Sequence, residues 1–130
     1  MSKIRWLSEE VVLALHARSL RDHGGGEGLR DHGLLDGALA KPKQLVVYGD
    51  PSVFELAAAY AAGIGRAHAF IDGNKRTAFF AMYVFLGLNG HELDADEAEA
   101  AAIMIDVATG QLAEAEFAKW LEVMCVPVEG

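Results

Sequence analysis

Apolar side chains recur every three to four positions along most of the chain, which is the spacing that places them on one face of a helix. The pattern predicts six helices, over about residues 9–23, 33–40, 52–68, 74–88, 96–109 and 113–123. Ser8, Ser52 and either Asp94 or Asp96 stand where helices begin, and their side chains are typical N-caps. We therefore expect an all-α fold, a compact bundle of about six helices.

Two of these helices carry specific expectations about burial. The predicted helix over residues 74–88 is apolar on nearly all sides, which is typical of a helix buried at the centre of a bundle. The predicted helix over residues 96–109 is expected to turn one face toward the core, formed by Ala98, Ala101, Ala102, Ile105 and Ala108.

The segment 43–50 differs from the rest of the chain. Pro42 and Pro51 bracket it, and Leu45-Val46-Val47-Tyr48 is followed by Gly49-Asp50. Aliphatic and aromatic residues between prolines and a turn signal favour a short strand-like flap or hairpin over a helix. We expect this flap to be the one β-like element of the fold.

Composition and charge narrow the functional classes. The chain has 130 residues, which fits a single domain spanning residues 1–130. Its formal net charge is -8, which argues against direct nucleic-acid binding because phosphate neutralisation needs a basic surface. Locally, however, Arg66, Lys75 and Arg76 form a basic cluster that could bind a phosphate group.

The cysteine content and the length of the apolar stretches indicate the redox chemistry and the cellular location of the protein. Cys125 is the single cysteine, so a disulfide within the chain is excluded and a catalytic thiol has no activating pattern beside it. The first residues lack the apolar run of a signal peptide, and no apolar stretch reaches the roughly 20 residues that a spanning helix needs. We expect a cytoplasmic protein with no membrane contact.

Between two strongly apolar predicted helices lies the segment His68-Ala69-Phe70-Ile71-Asp72-Gly73-Asn74-Lys75-Arg76. The first backbone amides of the second helix lack partners, and the helix dipole adds to their attraction for an anion. Lys75 and Arg76 stand at that same end, where cations are unfavourable by about 0.3–1 kcal/mol each. A bound polyphosphate would reverse this penalty, so the segment predicts a nucleotide-phosphate transfer site.

Each polar residue of this segment has a predicted role. His68 is the natural general base, since its ordinary pKa lies near neutrality. Asp72 is expected to hold Mg²⁺, which binds one or two carboxylates together with phosphate oxygens. Asn74 offers a donor to an oxygen of the transferred group, and Gly73 lets a ligand approach the backbone. Phe70 is expected to point into the core. These roles predict a phosphoryl- or nucleotidyl-transferring enzyme.

At these residues the sequence resembles the Fic/Doc family. The general Fic pattern is His-Pro-Phe-x-Asp/Glu-Gly-Asn-Gly-x-x-Arg, and the Doc branch has His-x-Phe-x-Asp-Ala/Gly-Asn-Lys-Arg. The Doc form is matched at His68, Phe70, Asp72, Asn74, Lys75 and Arg76. The likeness extends from about Ser8 to Met124, and it includes Leu13-Ala14-Leu15-His16 and Ala108-Thr109-Gly110.

The resemblance implies a small all-helical toxin of a toxin–antitoxin pair that acts as a kinase. The γ-phosphate of ATP would pass to a threonine of elongation factor Tu and so halt protein synthesis. His68 would deprotonate the acceptor hydroxyl, and Asp72 would hold Mg²⁺. The nucleotide phosphates would be bound by Gly73, Asn74, Lys75 and Arg76. The segment 43–50 would align the target, and a cognate antitoxin would cover the active groove.

Departures from the Fic pattern bear on which group is transferred. Ala69 replaces the Fic proline and Lys75 replaces the second Fic glycine, and both changes move the chain toward the Doc branch. Gly73 in place of alanine moves it slightly the other way, so Fic-type AMP transfer remains the alternative. The Ser/Thr-x-x-x-Glu-Gly/Asn inhibitory motif is absent from the sequence, which indicates control by a separate antitoxin. A catalytically silent antitoxin-binding protein is the third hypothesis.

Other polar residues invite weaker interpretations. Arg30 and Asp31 are interpreted as a surface ion pair rather than as ligand contacts. Arg66 fits a phosphate or antitoxin contact and a solvated helix face equally well. The histidines of the first third of the chain do not have the spacing of a metal site; they are His16, His23 and His32. A structural hydrogen bond is the expected role of His16.

Overall fold

The structure is a computed structural model that describes residues 3–128, which form six helices and two short strands. The elements are α1 (Glu9–His23), α2 (His32–Tyr48), α3 (Val53–Ala67), α4 (Asn74–Leu88), β1 (His91–Leu93), α5 (Glu97–Thr109), α6 (Glu114–Met124) and β2 (Cys125–Pro127). Residues 1, 2, 129 and 130 of the expected single domain lie outside the described residues. The all-α bundle of about six helices is confirmed.

Local hydrogen bonds explain where most of the helices begin. Ser8 accepts from the backbone N–H of Val11 at the start of α1. Ser52 and Glu55 form a reciprocal capping box at the start of α3. Asp96, one of the two predicted alternatives, caps α5. These starts are confirmed, because a short polar side chain fixes the entry to a helix within three residues of itself.

The core is built around α3 rather than around α4. Residues 56–65 of α3 are all buried, whereas α4 leaves Tyr83 and Leu88 exposed. Tyr60 of α3 packs on Phe85 of α4 with ring centroids 4.8 Å apart. The expectation that α4 occupies the centre was therefore wrong, because small side chains let the other helices surround α3 closely. A Cβ added to Gly63 would lie only 3.3 Å from the Ala38 carbonyl oxygen of α2.

The flap expected over residues 43–50 is not a strand, because α2 continues through Pro42 to Tyr48. The buried residues of α2 are Leu35, Ala38 and Pro42, whose spacing of three and four is helical. This continuous buried face against α3 outweighs the local preference of the Leu45–Tyr48 segment for extended structure. Val47 and Tyr48 are 73% and 88% exposed, so the last turn projects from the bundle.

Extended structure occurs elsewhere, in a two-stranded antiparallel sheet. His91, Glu92 and Leu93 of β1 pair with Pro127, Val126 and Cys125 of β2, respectively. Each strand has three residues, which is too short for an alternating pattern to be recognised in the sequence. The sheet ties the end of α4 to the end of α6.

The inner face of α5 also differs from the expectation. Its buried residues are Ala100, Met104 and Val107. Of the residues expected on the inner face, Ala108 is half-buried, and the others are exposed, namely Ala98, Ala101, Ala102 and Ile105. Because α5 is rich in alanine, its faces differ little in hydrophobicity, and the sequence does not show clearly which face is buried. Within residues 3–128, no helix combines the length and apolar character needed to cross a membrane.

Candidate active site

The segment predicted as the site is a six-residue loop, 68–73, between the end of α3 and the start of α4. Helix α1 and the glycine-rich segment that follows it pack against this loop. Phe70 is 1% exposed and anchors the loop in the core, as predicted, while the side chains of His68 and Asp72 on either side of it are exposed. The loop therefore presents a base and a carboxylate at the surface from a fixed hydrophobic anchor.

His68 ends α3 in the left-handed backbone conformation, with φ 51° and ψ 43°. It is the one non-glycine residue with positive φ among residues 3–128. This conformation costs about 1–2 kcal/mol for a residue with a Cβ. Surrounding contacts must supply that free energy, and such strain is concentrated at functional sites.

The contacts that hold His68 come from residues 28–31. Arg30 donates two hydrogen bonds to the His68 carbonyl oxygen, from Nε at 3.0 Å and from Nη2 at 2.6 Å. The backbone N–H groups of Arg30 and Asp31 both donate to the Ala69 carbonyl, at 2.7 and 3.0 Å. The N–H of Ile71 donates to the Gly28 carbonyl at 3.1 Å. This set of bonds joins two segments that are about forty residues apart in the sequence.

Helix α1 holds the same loop from the other side through His16. The His16 ring stacks on Phe70, with centroids 3.8 Å apart and an interplanar angle of 14°. Its Nε2 lies 2.8 Å from the Asp72 carbonyl oxygen, so Nε2 carries the proton and donates it. The expected structural hydrogen bond of His16 is thus present, and its acceptor is the backbone of the site loop.

The Asn74 side chain is engaged with the loop rather than directed to solvent. Its Oδ1 accepts the backbone N–H of Phe70 and its Nδ2 donates to the Phe70 carbonyl, both at 3.0 Å. One Nδ2 hydrogen remains after these bonds. The predicted contact of Asn74 with a transferred group stays a prediction, and its evident action is to shape the loop.

Asp72 is the acidic group of the site. Its Oδ1 accepts from the N–H of Gly73 at 2.9 Å and its Oδ2 from the N–H of Gly26 at 3.3 Å. These backbone hydrogen bonds, and then the electrostatic attraction of Arg76, hold the pKa of the carboxyl below its ordinary value of 3.8. Asp72 is therefore an anion at neutral pH. Each carboxylate oxygen keeps a second acceptor position facing solvent, which fits a hard cation such as Mg²⁺.

The first turn of α4 is open to an anion. Its N-cap is Gly73, with φ 75°, and within the described residues no side chain caps this helix. A Ser or Asp side chain caps each of α1, α2, α3 and α5, whereas α6, like α4, has no side-chain cap in the described part of the chain. Lys75 is exposed on the first turn. Arg76 is held between Ser19 Oγ, 3.1 Å from its Nε, and the Gly24 carbonyl, 3.3 Å from its Nη2.

An apolar groove of about 350 Å³ begins at this end of α4 and runs between α4 and α5. Lys75 and Arg76 line its end, and Phe79, Phe80 and Met104 are among the residues of its walls. The exposed residues Ala101 and Ile105 of α5 also line it. The face of α5 that was expected in the core therefore forms part of the groove wall beside the site.

Several interpretations of other polar residues change. Arg30 and Asp31 are not an ion pair: Arg30 binds the His68 carbonyl, and Asp31 caps α2 by accepting from the N–H of Leu34. Arg66 is exposed and donates to the carbonyls of Val107 and Leu112, so it ties α3 to the end of α5. Its contact with a phosphate or an antitoxin stays a prediction. The contacts of Arg30 and Arg66 have no local signal in the sequence, since their partners lie at least 38 positions away along the chain.

The three histidines of the first third of the chain lie in different surroundings. His16 lies under the site loop, whereas His32 pairs with Glu9 and Asp36 on the surface. His23 lines the apolar groove. Burial raises the pKa of the Cys125 thiol to about 11, so this side chain is not an activated nucleophile.

Comparison with known proteins matches this arrangement to one family. A family model described as the Fic/DOC family matches residues 6–86. A relative named "Toxin Doc" from Mycolicibacterium smegmatis is 46% identical over 91 residues, which cover 66% of this chain and 69% of the relative. A relative named "Protein kinase doc" from Escherichia phage P1 is 32% identical over 119 residues, which cover 91% of this chain and 94% of the relative.

Proposed function

Because the chain belongs to the Fic/DOC family, we propose that it is a toxin of the Doc kind that transfers the γ-phosphate of ATP to a protein hydroxyl. The observation that carries the proposal is that one short loop joins an exposed histidine to an uncapped helix N-terminus. His68 stands at one end of loop 68–73, and the free amides of α4 stand at the other. Phosphoryl transfer needs both a proton acceptor and an anion site at close quarters.

His68 is the proposed general base. Its exposed ring is presented from a backbone that Arg30 and the Ala69 carbonyl hold in place. A neutral imidazole nitrogen would accept the proton of the acceptor hydroxyl as its oxygen bonds to phosphorus and the bond to the departing ADP oxygen breaks. A base of this kind contributes about 10²–10⁴-fold to a transfer rate.

The proposed phosphate-binding groups are the amides and cations of the first turn of α4. The N–H groups of Asn74, Lys75 and Arg76 point along the helix axis with the positive end of the dipole. Arg76 is already oriented by Ser19 and Gly24, whereas Lys75 extends into solvent. A polyphosphate bound here would offset the unfavourable placement of both cations beside Gly73.

Asp72 is the proposed holder of Mg²⁺, because it is an exposed anion beside this phosphate site. The ion, when bound, would neutralise charge on the phosphate oxygens during transfer. Gly73 and Gly26 orient the carboxylate through their N–H groups, so Asp72 does not need to be reorganised to meet the ion.

The identity of the transferred group rests on Lys75. A lysine side chain at this position occupies space where a glycine would leave the backbone free for another phosphate, and this favours γ-phosphate transfer. AMP transfer is the second candidate, and Gly73 is the observation that favours it, since Doc-branch sequences have alanine or glycine there and Fic sequences have glycine.

The acceptor is proposed to be a threonine of elongation factor Tu, and the site of action the cytoplasm. One relative is named a protein kinase and the other a toxin, which supports phosphotransfer and growth inhibition without naming a target. Control by a cognate antitoxin is supported by the apolar groove beside Lys75 and Arg76. An antitoxin segment lying in this groove would cover the phosphate-binding end of α4.

The test is to incubate the protein with Mg²⁺, elongation factor Tu and ATP labelled at either the α- or the γ-phosphate. Label on the factor from γ-labelled ATP alone is the expected result. Label from α-labelled ATP would replace the proposal with AMP transfer, and label from neither would reject this acceptor. The variant Lys75→Gly should increase incorporation from α-labelled ATP relative to γ-labelled ATP, with Lys119→Gly of the exposed α6 surface as control.

A further inference from the structure

His68 ends α3, and the carbonyl groups at the end of a helix have no partner within that helix. The His68 carbonyl is bound instead by both Nε and Nη2 of Arg30, at 3.0 and 2.6 Å. A guanidinium has donors in a fixed planar fork, so two bonds to one oxygen define the direction of that carbonyl. The direction of the carbonyl and the left-handed φ of His68 together define where its side chain leaves the backbone.

The neighbouring peptide is fixed by the same segment. The Ala69 carbonyl accepts two backbone N–H groups from residues 30 and 31, and Leu29 forms a β-bridge with Phe70. Asp31 then caps α2 through Leu34, so the segment that holds His68 is itself anchored to a helix. The left-handed residue is therefore braced by a rigid element and not by solvent.

We propose that Arg30 is a positioning residue for the general base, and that it acts through the His68 carbonyl rather than by binding nucleotide or acceptor. This inference rests on the proposed function for its kinetic consequence. An exposed arginine beside a phosphate site would ordinarily be assigned to the phosphates. Here the edge of the fork formed by Nε and Nη2 is committed to the backbone of the base, so the guanidinium is oriented by the His68 carbonyl and not by a ligand.

Loss of Arg30 should therefore affect the transfer rate and not the affinity for ATP. Loss of the Arg30 guanidinium releases the His68 carbonyl and lets the residue relax from φ 51° toward ordinary backbone conformations. The phosphate-binding amides of α4 and the Arg76 contacts with Ser19 and Gly24 do not involve Arg30. ATP binding should thus persist while proton removal fails.

The experiment compares wild type, Arg30→Ala and Arg30→Lys, with Arg18→Ala as a control on the surface of α1, where Arg18 pairs with Asp22. We expect Arg30→Ala to lower kcat by about 100-fold, the loss typical of a misplaced catalytic group, with KM for ATP nearly unchanged. Millimolar guanidinium should restore part of kcat. Arg30→Lys, which keeps the charge but replaces the two-nitrogen fork with a single ammonium nitrogen, should fall between the two. A raised KM with unchanged kcat would overturn the proposal, because Arg30 would then be a nucleotide ligand.

A second measurement does not depend on catalysis. In wild type, NMR should show the strong intraresidue amide–Hα contact of a positive φ at residue 68, and this signal should weaken in Arg30→Ala and persist in Arg18→Ala. Persistence in a folded Arg30→Ala protein would overturn the proposal. If wild type transfers no phosphate but the NMR change appears, the proposed function fails while the positioning contact stands.

Discussion

Asn74 closes a ring of two hydrogen bonds with the backbone of Phe70, four residues before it. Its amide oxygen accepts the Phe70 N–H and its amide nitrogen donates to the Phe70 carbonyl, both at 3.0 Å. The ring fixes the loop between the proposed base and the helix that would bind phosphate. Asn74, which the sequence predicts as a phosphate ligand, thus also has a structural action that its position in the sequence does not reveal.

This ring predicts a graded response to substitution. Asn74→Ala removes both bonds and should lower the free energy of unfolding by about 1–3 kcal/mol, since each net bond contributes about 0.5–1.5 kcal/mol. Asn74→Asp keeps the acceptor for the Phe70 N–H but, when ionised, sets a second carboxylate oxygen against the Phe70 carbonyl. Its loss of stability should therefore be smaller at acidic pH, where the protonated carboxyl can donate, than at neutral pH. Denaturant unfolding of the two variants measures these losses, provided that the m-value stays the same as in wild type. Equal stability of Asn74→Ala and wild type would contradict the ring as an energetic feature.

Two adjacent glycines offer a matched pair for testing the environment of Asp72. Gly24 and Gly25 both have positive φ, at 76° and 125°, so alanine is strained at either position. A Cβ at Gly24 meets nothing within 4 Å, whereas a Cβ at Gly25 would lie 2.9 Å from Asp72 Oδ2. Gly25→Ala must therefore displace the carboxylate, and Gly24→Ala need not.

We expect the Mg²⁺ concentration that gives half-maximal transfer to rise severalfold in Gly25→Ala and to stay near the wild-type value in Gly24→Ala. Both variants should lose some thermal stability because of the shared backbone strain. Titration of transfer rate with Mg²⁺ separates the two effects. A Mg²⁺ requirement that shifts equally in both variants would show that strain, and not the contact with Asp72, is responsible.

The lowered pKa of Asp72 predicts a pH dependence of stability. Hydrogen bonds from Gly73 and then Gly26 favour the carboxylate, so the folded-state pKa lies below the unfolded value of about 4. As the pH falls, the unfolded state binds a proton at Asp72 before the folded state does. The contribution of Asp72 to the free energy of unfolding is therefore complete above about pH 4 and is lost as the pH falls through the folded-state pKa. The melting temperature should fall less steeply between pH 6 and about 2 for Asp72→Asn than for wild type. Parallel curves would contradict the assigned contacts.

The sequence predicted those features that are decided within one turn of helix. The capping box of Ser52 and Glu55 set the start of α3, and the bounds of α4, Asn74–Leu88, follow from its apolar run and the Asn89-Gly90 that ends it. The residues of the site loop were also identified, because His68 through Arg76 are contiguous in the sequence. Such signals need no knowledge of what lies across the bundle.

Contacts between distant segments could not be predicted in this way. Arg30 and His68 are separated by 38 positions, and Arg66 and Val107 by 41. The helical state of residues 43–48 depends on a buried face that begins at Leu35, so the local preference of two valines was misleading. The strands at residues 91–93 and 125–127 exist because each supplies the other's hydrogen bonds. In every case the deciding partner lies outside the window that a local pattern covers.

The central claim is that His68 acts as a base beside a phosphate site that it does not itself form. The most direct measurement is single-turnover transfer of label from γ-labelled ATP, made together with ATP affinity, in wild type and His68→Ala. We expect His68→Ala to bind ATP as wild type does and to transfer label at least about 100-fold more slowly. Transfer by His68→Ala at the wild-type rate would contradict it.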